Sequence, residues 1–220
     1  MRNSFDNYIF DLDGTLVNSS EEVLLCFKKA FIAAGYPIDE SRLTSDVIGP
    51  PLRQIIATLA PELTDEDIIS SIIKNFRAIY DYDENDISVL YDGIYDFVSG
   101  LKKEGKKLFI ATFKPKIPTM RLVEKFFPNV FDDIYTIDKF GKQITKEEMI
   151  KDIISKYALD KSATVMIGDA ASDVIAGKNA GVTAVGVLWG YGSDKTKLIQ
   201  NADLVIDKIK EEKVLIGKDL

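Results

Sequence analysis

The 220-residue chain contains no histidine. That absence removes a Ser/His/Asp triad, a histidine-ligated zinc site and imidazole acid–base chemistry, so any catalysis falls to carboxylates and lysines. Its one cysteine, Cys26, cannot form an internal disulfide and, set among Leu24, Leu25 and Phe27, reads as a buried helical thiol. No apolar run approaches the ~20 residues that span a bilayer. Met1 to Phe10 lacks the apolar stretch and small-residue cleavage site of a secretory signal. A cytoplasmic protein without a membrane partner is expected. Positive charge is also in deficit: the formal net charge is -7 and the basic residues are scattered, those at Lys102, Lys103, Lys106 and Lys107 surrounding a helix end at Glu104-Gly105. Without a basic stripe, no nucleic acid is expected as a partner.

What is present is the balance of a globular protein, 46% hydrophobic and 29% charged. The length exceeds a single core of ~100–150 residues, which predicts one domain plus an insertion. Short, nearly continuous apolar runs at Tyr8–Phe10, Leu108–Ala111, Ile134–Ile137, Thr164–Ile167, Thr183–Val187 and Leu204–Ile206 read as strands buried on both faces. Helical patterns lie between them at Tyr95–Glu104, Thr119–Phe127, Thr145–Tyr157 and Ser172–Ala180. This alternation predicts a doubly wound, mostly parallel, Rossmann-like α/β sheet. Ser19 to Asp83 breaks the rhythm. One amphipathic helix starts at Ser19, with Glu22 completing a capping box, and another near Thr64 repeats Ile68, Ile69, Ile72, Ile73, Phe76 and Tyr80. Each needs the other to bury its face, so a small all-helical domain over 18–84 is expected, inserted after the first strand into a core of 1–17 and 85–220.

Two acidic constellations sit at strand ends, where open α/β sheets bind ligands. The first strand runs into Asp11-Leu12-Asp13-Gly14-Thr15, and the fourth into Gly168-Asp169-Ala170-Ala171-Ser172-Asp173. Alone, the first is an ordinary Asp turn and the second a helix cap. Gathered together, the four aspartates would repel one another, and a hard, oxygen-preferring cation such as Mg²⁺ would remove that cost. Thr112 ends the second strand and offers a hydroxyl and neighbouring backbone N–H groups to an anion. Lys142 and Lys146 flank the next helix start, and either could supply a balancing cation.

These residues resemble the haloacid dehalogenase superfamily of phosphohydrolases, in particular its phosphoglycolate phosphatase-like branch with a helical C1-type cap. The family's Asp-x-Asp-Gly-Thr matches Asp11 to Thr15, its strand-terminal Thr or Ser matches Thr112, and its Gly-Asp-x-x-x-Asp matches Gly168 to Asp173. Lys146 best fits the family's lysine opening the helix before the fourth strand, with Lys142 as the fallback. The resemblance implies that Asp11 attacks phosphorus while Asp13 protonates the leaving oxygen and later activates water. It implies Mg²⁺ held by Asp11, the Asp13 carbonyl and Asp169, with Asp173 in the surrounding shell, and a phosphoryl group bound by Gly14, Thr112, Phe113 and Lys146. In relatives a cap segment like Gly49-Pro50-Pro51-Leu52 approaches the leaving group, which makes Gly49, Leu52 and Arg53 candidate substrate contacts. The Trp189 to Gly192 loop is the alternative.

The chain departs from its relatives at Asn18, two residues before Ser20, where Asp is common. It also lacks the cap histidine of related sugar phosphomutases and keeps Thr15, which favours hydrolysis over transfer. The expectation is a Mg²⁺-dependent phosphatase acting on a small phosphorylated metabolite, phosphoglycolate first, through an aspartyl phosphate. Inorganic pyrophosphate and nucleoside 5′-monophosphates are alternative substrates, and an idle phosphate-binding module is the alternative of another class.

Overall fold

The computed structural model describes residues 5–82 and 87–209. The chain divides into two compact units, one of Met1–Asn18, Leu90–Gly190 and Asp194–Leu220, the other of Ser19–Val89 and Tyr191–Ser193. Against the expected division, residues 87–89 and Tyr191–Ser193 of the core fall in the helical unit, and Asn18 of the insertion falls in the first unit. The expected boundary at 84–85 lies outside the described residues.

The first unit begins with β1 (Asn7–Phe10); the chain then passes through β2 (Val17–Asn18) into the second unit, which holds α1 (Ser20–Ala33), α2 (Leu52–Leu59) and α3 (Glu66–Asp81). It returns through β3 (Val89–Leu90) and continues as α4 (Ile94–Lys103), β4 (Lys107–Ala111), α5 (Lys116–Phe126), β5 (Asp133–Tyr135) and α6 (Lys146–Lys156). The last elements are β6 (Thr164–Gly168), α7 (Ala171–Ala180), β7 (Thr183–Val187), α8 (Lys195–Asn201) and β8 (Leu204–Ile206). Six strands form one sheet in the order β5-β4-β1-β6-β7-β8, and every pairing in it is parallel.

Side-chain alternation explains why these runs are apolar throughout. Tyr8 and Phe10 of β1 join Leu108, Ile110, Val165 and Ile167 on one face, packed with Phe97 and Leu101 of α4 and Leu122 of α5. Ile9 turns the other way and joins Phe109, Ala111 and Met166 against Met149, Ile150 and Ile153 of α6 and Ala176 of α7. Each such side chain contributes about 1.5–3 kcal/mol of burial, so neither face tolerates a polar residue without loss. The central strand β1 has later strands on both sides, β4 on one and β6 on the other. That reversal of strand order opens a crevice at the strands' C-terminal ends.

In the second unit, α1 and α3 pack through Phe27 and Phe76, whose ring centroids are 4.2 Å apart, with Cys26, Ile69, Ile72 and Tyr80 in the same buried cluster. Asp65 caps α3 by accepting from the backbone N–H groups of Asp67 and Ile68. The expected capping box of α1 does not form. Ser19 Oγ instead meets Tyr191 Oη at 3.0 Å, and Glu22, fully buried, accepts from Ser88 Oγ. Both side chains have tertiary partners that a local pattern does not reveal. No helix among the described residues is long and apolar enough to cross a membrane.

Candidate active site

Asp11 directly follows β1 and extends its ladder, its N–H donating to Ile167 O at 2.9 Å. The chain then turns sharply: the N–H groups of Thr15, Leu16 and Val17 all point to Leu12 O, and Gly14 N–H donates to Val17 O. Gly14 takes φ +83°, and a Cβ there would lie 2.2 Å from Asp169 Oδ2. Only glycine meets both demands. Asp169 follows β6 in the same way, while Asp173 lies in the first turn of α7 and accepts from Ala170 N–H at 3.1 Å.

The crevice thus gathers Asp11, Asp169 and Asp173, each buried, with one carboxylate oxygen from each within 4.8 Å of the others. Lys146 enters from the first position of α6, a helix start fixed by a capping box between Thr145 and Glu148. Its Nζ lies 2.8 Å from Asp11 Oδ1 and 2.5 Å from Asp173 Oδ1, and 5.2 Å from the centroid of the Phe113 ring. Lys142, the fallback, is exposed. Thr15 Oγ1 donates to Asp169 Oδ1 at 3.2 Å.

Asp13 faces elsewhere. Its Oδ1 accepts from Lys114 Nζ at 3.0 Å, so its side chain stands outside the three-carboxylate group. Thr112 is buried where β4 ends, its N–H bonded to Tyr135 O and its Oγ1 accepting from Lys114 N–H at 3.1 Å. Phe113, beside it, is 40% exposed.

Burial pushes the Asp11 carboxyl up to about 8, with Lys146 pulling it down and Asp173 and Asp169 adding to the rise. For Lys146, burial opposes the charge, but Asp11 and Asp173 outweigh it and hold the proton more firmly than on an ordinary lysine. Three buried carboxyl groups share one fully buried ammonium, and the proton that burial keeps on Asp11 offsets the excess negative charge. An oxygen-rich pocket of that kind suits a hard divalent cation, which would displace the proton that burial otherwise keeps there.

Sequence reasoning missed Lys114 and Lys195 as supports of this site and named the Trp189 to Gly192 loop only as an alternative substrate contact. Lys114 was legible only as the second residue after Thr112. Trp189 Nε1 donates to Thr15 O at 3.0 Å, and a Cβ on the adjacent Gly190 would stand 2.1 Å from Gly14 O and 2.4 Å from Asp169, so this segment lies flat on the Asp11–Thr15 turn. Lys195 Nζ donates to Asp169 O at 3.3 Å; burial lowers its pKa against the opposing pull of Asp169 and Asp173. The candidate substrate contacts Gly49, Leu52 and Arg53 belong to the second unit. There Leu52 packs against the helical cluster, and Arg53 makes a bidentate pair with Glu66.

The family model described as haloacid dehalogenase-like hydrolase matches residues 8–187. Pyrophosphatase PpaX of Bacillus pumilus is 27% identical over 219 residues, covering 98% of both chains. A 5′-nucleotidase of Pseudomonas aeruginosa is 30% identical over 195 residues and 86% of each chain. The solved structure of a haloacid dehalogenase-like hydrolase from Streptococcus pneumoniae superposes with a TM-score of 0.81 at 24% identity, covering 96% of this chain and 97% of that one.

Proposed function

Because the chain belongs to the haloacid dehalogenase-like hydrolase family, we propose that it is a cytoplasmic, Mg²⁺-dependent phosphatase of small phosphorylated metabolites, with a phosphoglycolate-like monoester as substrate. The observation that carries this reading is the buried group of Asp11, Asp169 and Asp173 with Lys146 bonded to two of its members. Asp11, the Asp13 carbonyl and Asp169 would hold Mg²⁺, with Asp173 in the surrounding shell. When bound, the cation neutralises charge on the phosphoryl oxygens.

This chain's own groups divide the reaction into two displacements. An Asp11 carboxylate oxygen bonds to phosphorus as the bond to the leaving oxygen breaks, and Asp13 gives that oxygen a proton. Asp13 then takes a proton from water as the water oxygen bonds to phosphorus and the Asp11–phosphorus bond breaks, releasing inorganic phosphate. Lys146, Thr112 Oγ1 and the backbone N–H of Phe113 bind the phosphoryl oxygens and stabilise charge that grows in transfer, while Gly14, expected among them, spends its N–H on Val17 O and serves by letting the turn pass close to Asp169. Buried as they are, Lys146 and Thr112 act where water does not weaken them.

Pyrophosphate is the second reading, favoured by similarity to PpaX over almost the whole of both chains. The test is phosphate release from phosphoglycolate, pyrophosphate and nucleoside 5′-monophosphates, with Mg²⁺ and with chelator. Release should require the cation, and Asp169→Asn should raise the Mg²⁺ concentration needed by more than tenfold. Release indifferent to chelator would overturn the metal assignment. Inactivity on every ester would leave a phosphate-binding module.

A further inference from the structure

Lys114 has no part in the chemistry above, yet its ammonium is held inside the crevice with its side chain only 4% exposed. A buried cation is costly unless anions meet it, so its placement needs a reason beyond solubility. Two bonds fix it. At its base, Lys114 N–H donates to Thr112 Oγ1 at 3.1 Å, which ties the residue to the turn proposed to bind the phosphoryl group. At its tip, Nζ donates to Asp13 Oδ1 at 3.0 Å.

Asp13 is the group assigned to the leaving oxygen. An acid must reach the oxygen it protonates within about 2.6–3.2 Å, so an ammonium bonded to that same carboxyl lies at most one further hydrogen bond away. Lys146 is committed to other carboxylates, bonding Asp11 and Asp173. The two lysines thus divide the crevice: Lys146 sits with the nucleophile, Lys114 with the departing group.

We propose that Lys114 is a specificity residue that selects substrates whose leaving group carries its own anionic centre one or two bonds from the bridging oxygen. Glycolate meets that description through its carboxylate, and pyrophosphate through its second phosphorus. A nucleoside does not, since its 5′-oxygen leads into a neutral sugar. A fixed ammonium in a water-poor crevice attracts such an anion far more strongly than an exposed lysine does. The attraction also persists as negative charge develops on the leaving oxygen. The proposal rests on the assignment of Asp13 to that oxygen.

The test compares phosphoglycolate with 2-hydroxyethyl phosphate, which is close in size and replaces the carboxylate by a neutral alcohol. Pyrophosphate and a nucleoside 5′-monophosphate form a second pair. The wild-type protein should show at least a tenfold higher kcat/KM for the anionic member of at least one pair. Lys114→Met should reduce that preference at least tenfold, mainly through KM, and Lys114→Arg, which keeps the positive charge, should restore most of it. Thermal midpoints of both variants check folding, and the wild-type comparison stands even where a variant fails to fold. A wild-type enzyme that favours the neutral ester in both pairs would overturn the proposal. So would a Lys114→Met variant that loses both members of a pair by the same factor, which would leave Lys114 a support for Asp13. Wild-type inactivity on all four compounds with Mg²⁺ would instead overturn the phosphatase reading itself, and the proposal with it.

Discussion

The Lys146 ammonium stands 2.8 Å from Asp11 Oδ1, in a pair whose side chains are only 5% and 11% exposed. Lys146 also bonds Asp173, so the residue that restrains the carboxylate proposed to attack is also the one proposed to bind the phosphoryl group. Lys146→Met keeps most of the length of the side chain and removes the charge. It should lower kcat by roughly 10²–10³ in folded protein, the usual loss for one electrostatic contact to a transition state. Phosphate release assayed beside circular dichroism would check this; near-normal turnover would exclude Lys146 from phosphoryl binding.

The Asp11 carboxyl yields a pH prediction for cation-free protein. It titrates at about 8 when folded, chiefly because it is buried, against about 3.9 in an unfolded chain. Between those values the folded state keeps a proton that the unfolded state has lost. Stability from this group therefore falls as pH rises from about 4 to about 8, by at most about 1.4 kcal/mol per pH unit. Asp11→Asn should abolish that component along with turnover. Urea midpoints in chelator at pH 5 and pH 8 read the difference, and parallel changes in wild type and variant would place the proton elsewhere.

Trp189 is tied to the Asp11–Thr15 turn by the bond from Nε1–H to Thr15 O at 3.0 Å. Trp189→Phe retains much of the ring and deletes the donor. Leaving that carbonyl without the bond should cost about 1–3 kcal/mol. Because Thr15 Oγ1 bonds Asp169, the loosened turn should also raise the Mg²⁺ concentration needed for activity. Calorimetry and a Mg²⁺ titration would test both effects, and a stability loss with unchanged Mg²⁺ dependence would confine Trp189 to packing.

Asp133 contributes stability near neutrality that acid removes. Burial works to raise its pKa, but bonds from Lys156, Lys139, its neighbour's backbone N–H at Ile134 and the Tyr157 hydroxyl outweigh burial and bring it to about 2. Its contribution is fully present above about pH 4 and is lost as pH falls toward 2. Asp133→Asn should therefore destabilise the protein near neutrality and differ little from wild type near pH 2. Equal destabilisation at both pH values would mean that packing, not charge, is what Asp133 supplies.

Much of the architecture was legible because burial leaves a periodic trace. A strand covered on both faces must be apolar at every position, and the runs at Tyr8–Phe10, Leu108–Ala111 and Thr164–Ile167 fall inside β1, β4 and β6 or coincide with them. The short helices α2 and α8, of eight and seven residues, were not foreseen, because so few turns carry too little periodicity. The Ser19 and Glu22 pattern misled for a different reason. It satisfies a local rule, but Tyr191 and Ser88 occupy the same oxygens from 172 and 66 residues away.

The sequence by itself determined that a parallel α/β sheet would form and that aspartates would stand at the ends of β1 and β6, since both follow from which residues each run contains. Family resemblance pointed to Lys146, but only the tertiary structure decided which carboxylates it meets and that Lys114 joins it. Lys146 reaches Asp173 across 27 residues, and Lys114 reaches Asp13 across 101. Lys142, only four residues from Lys146, stays in solvent. The physical reason is that periodicity records which side of an element is buried, whereas an ion pair depends on where separate crossovers return the chain. A lysine at a helix start becomes part of this site only because α6 and α7 pack on the same face of the sheet and bring its ammonium down between Asp11 and Asp173.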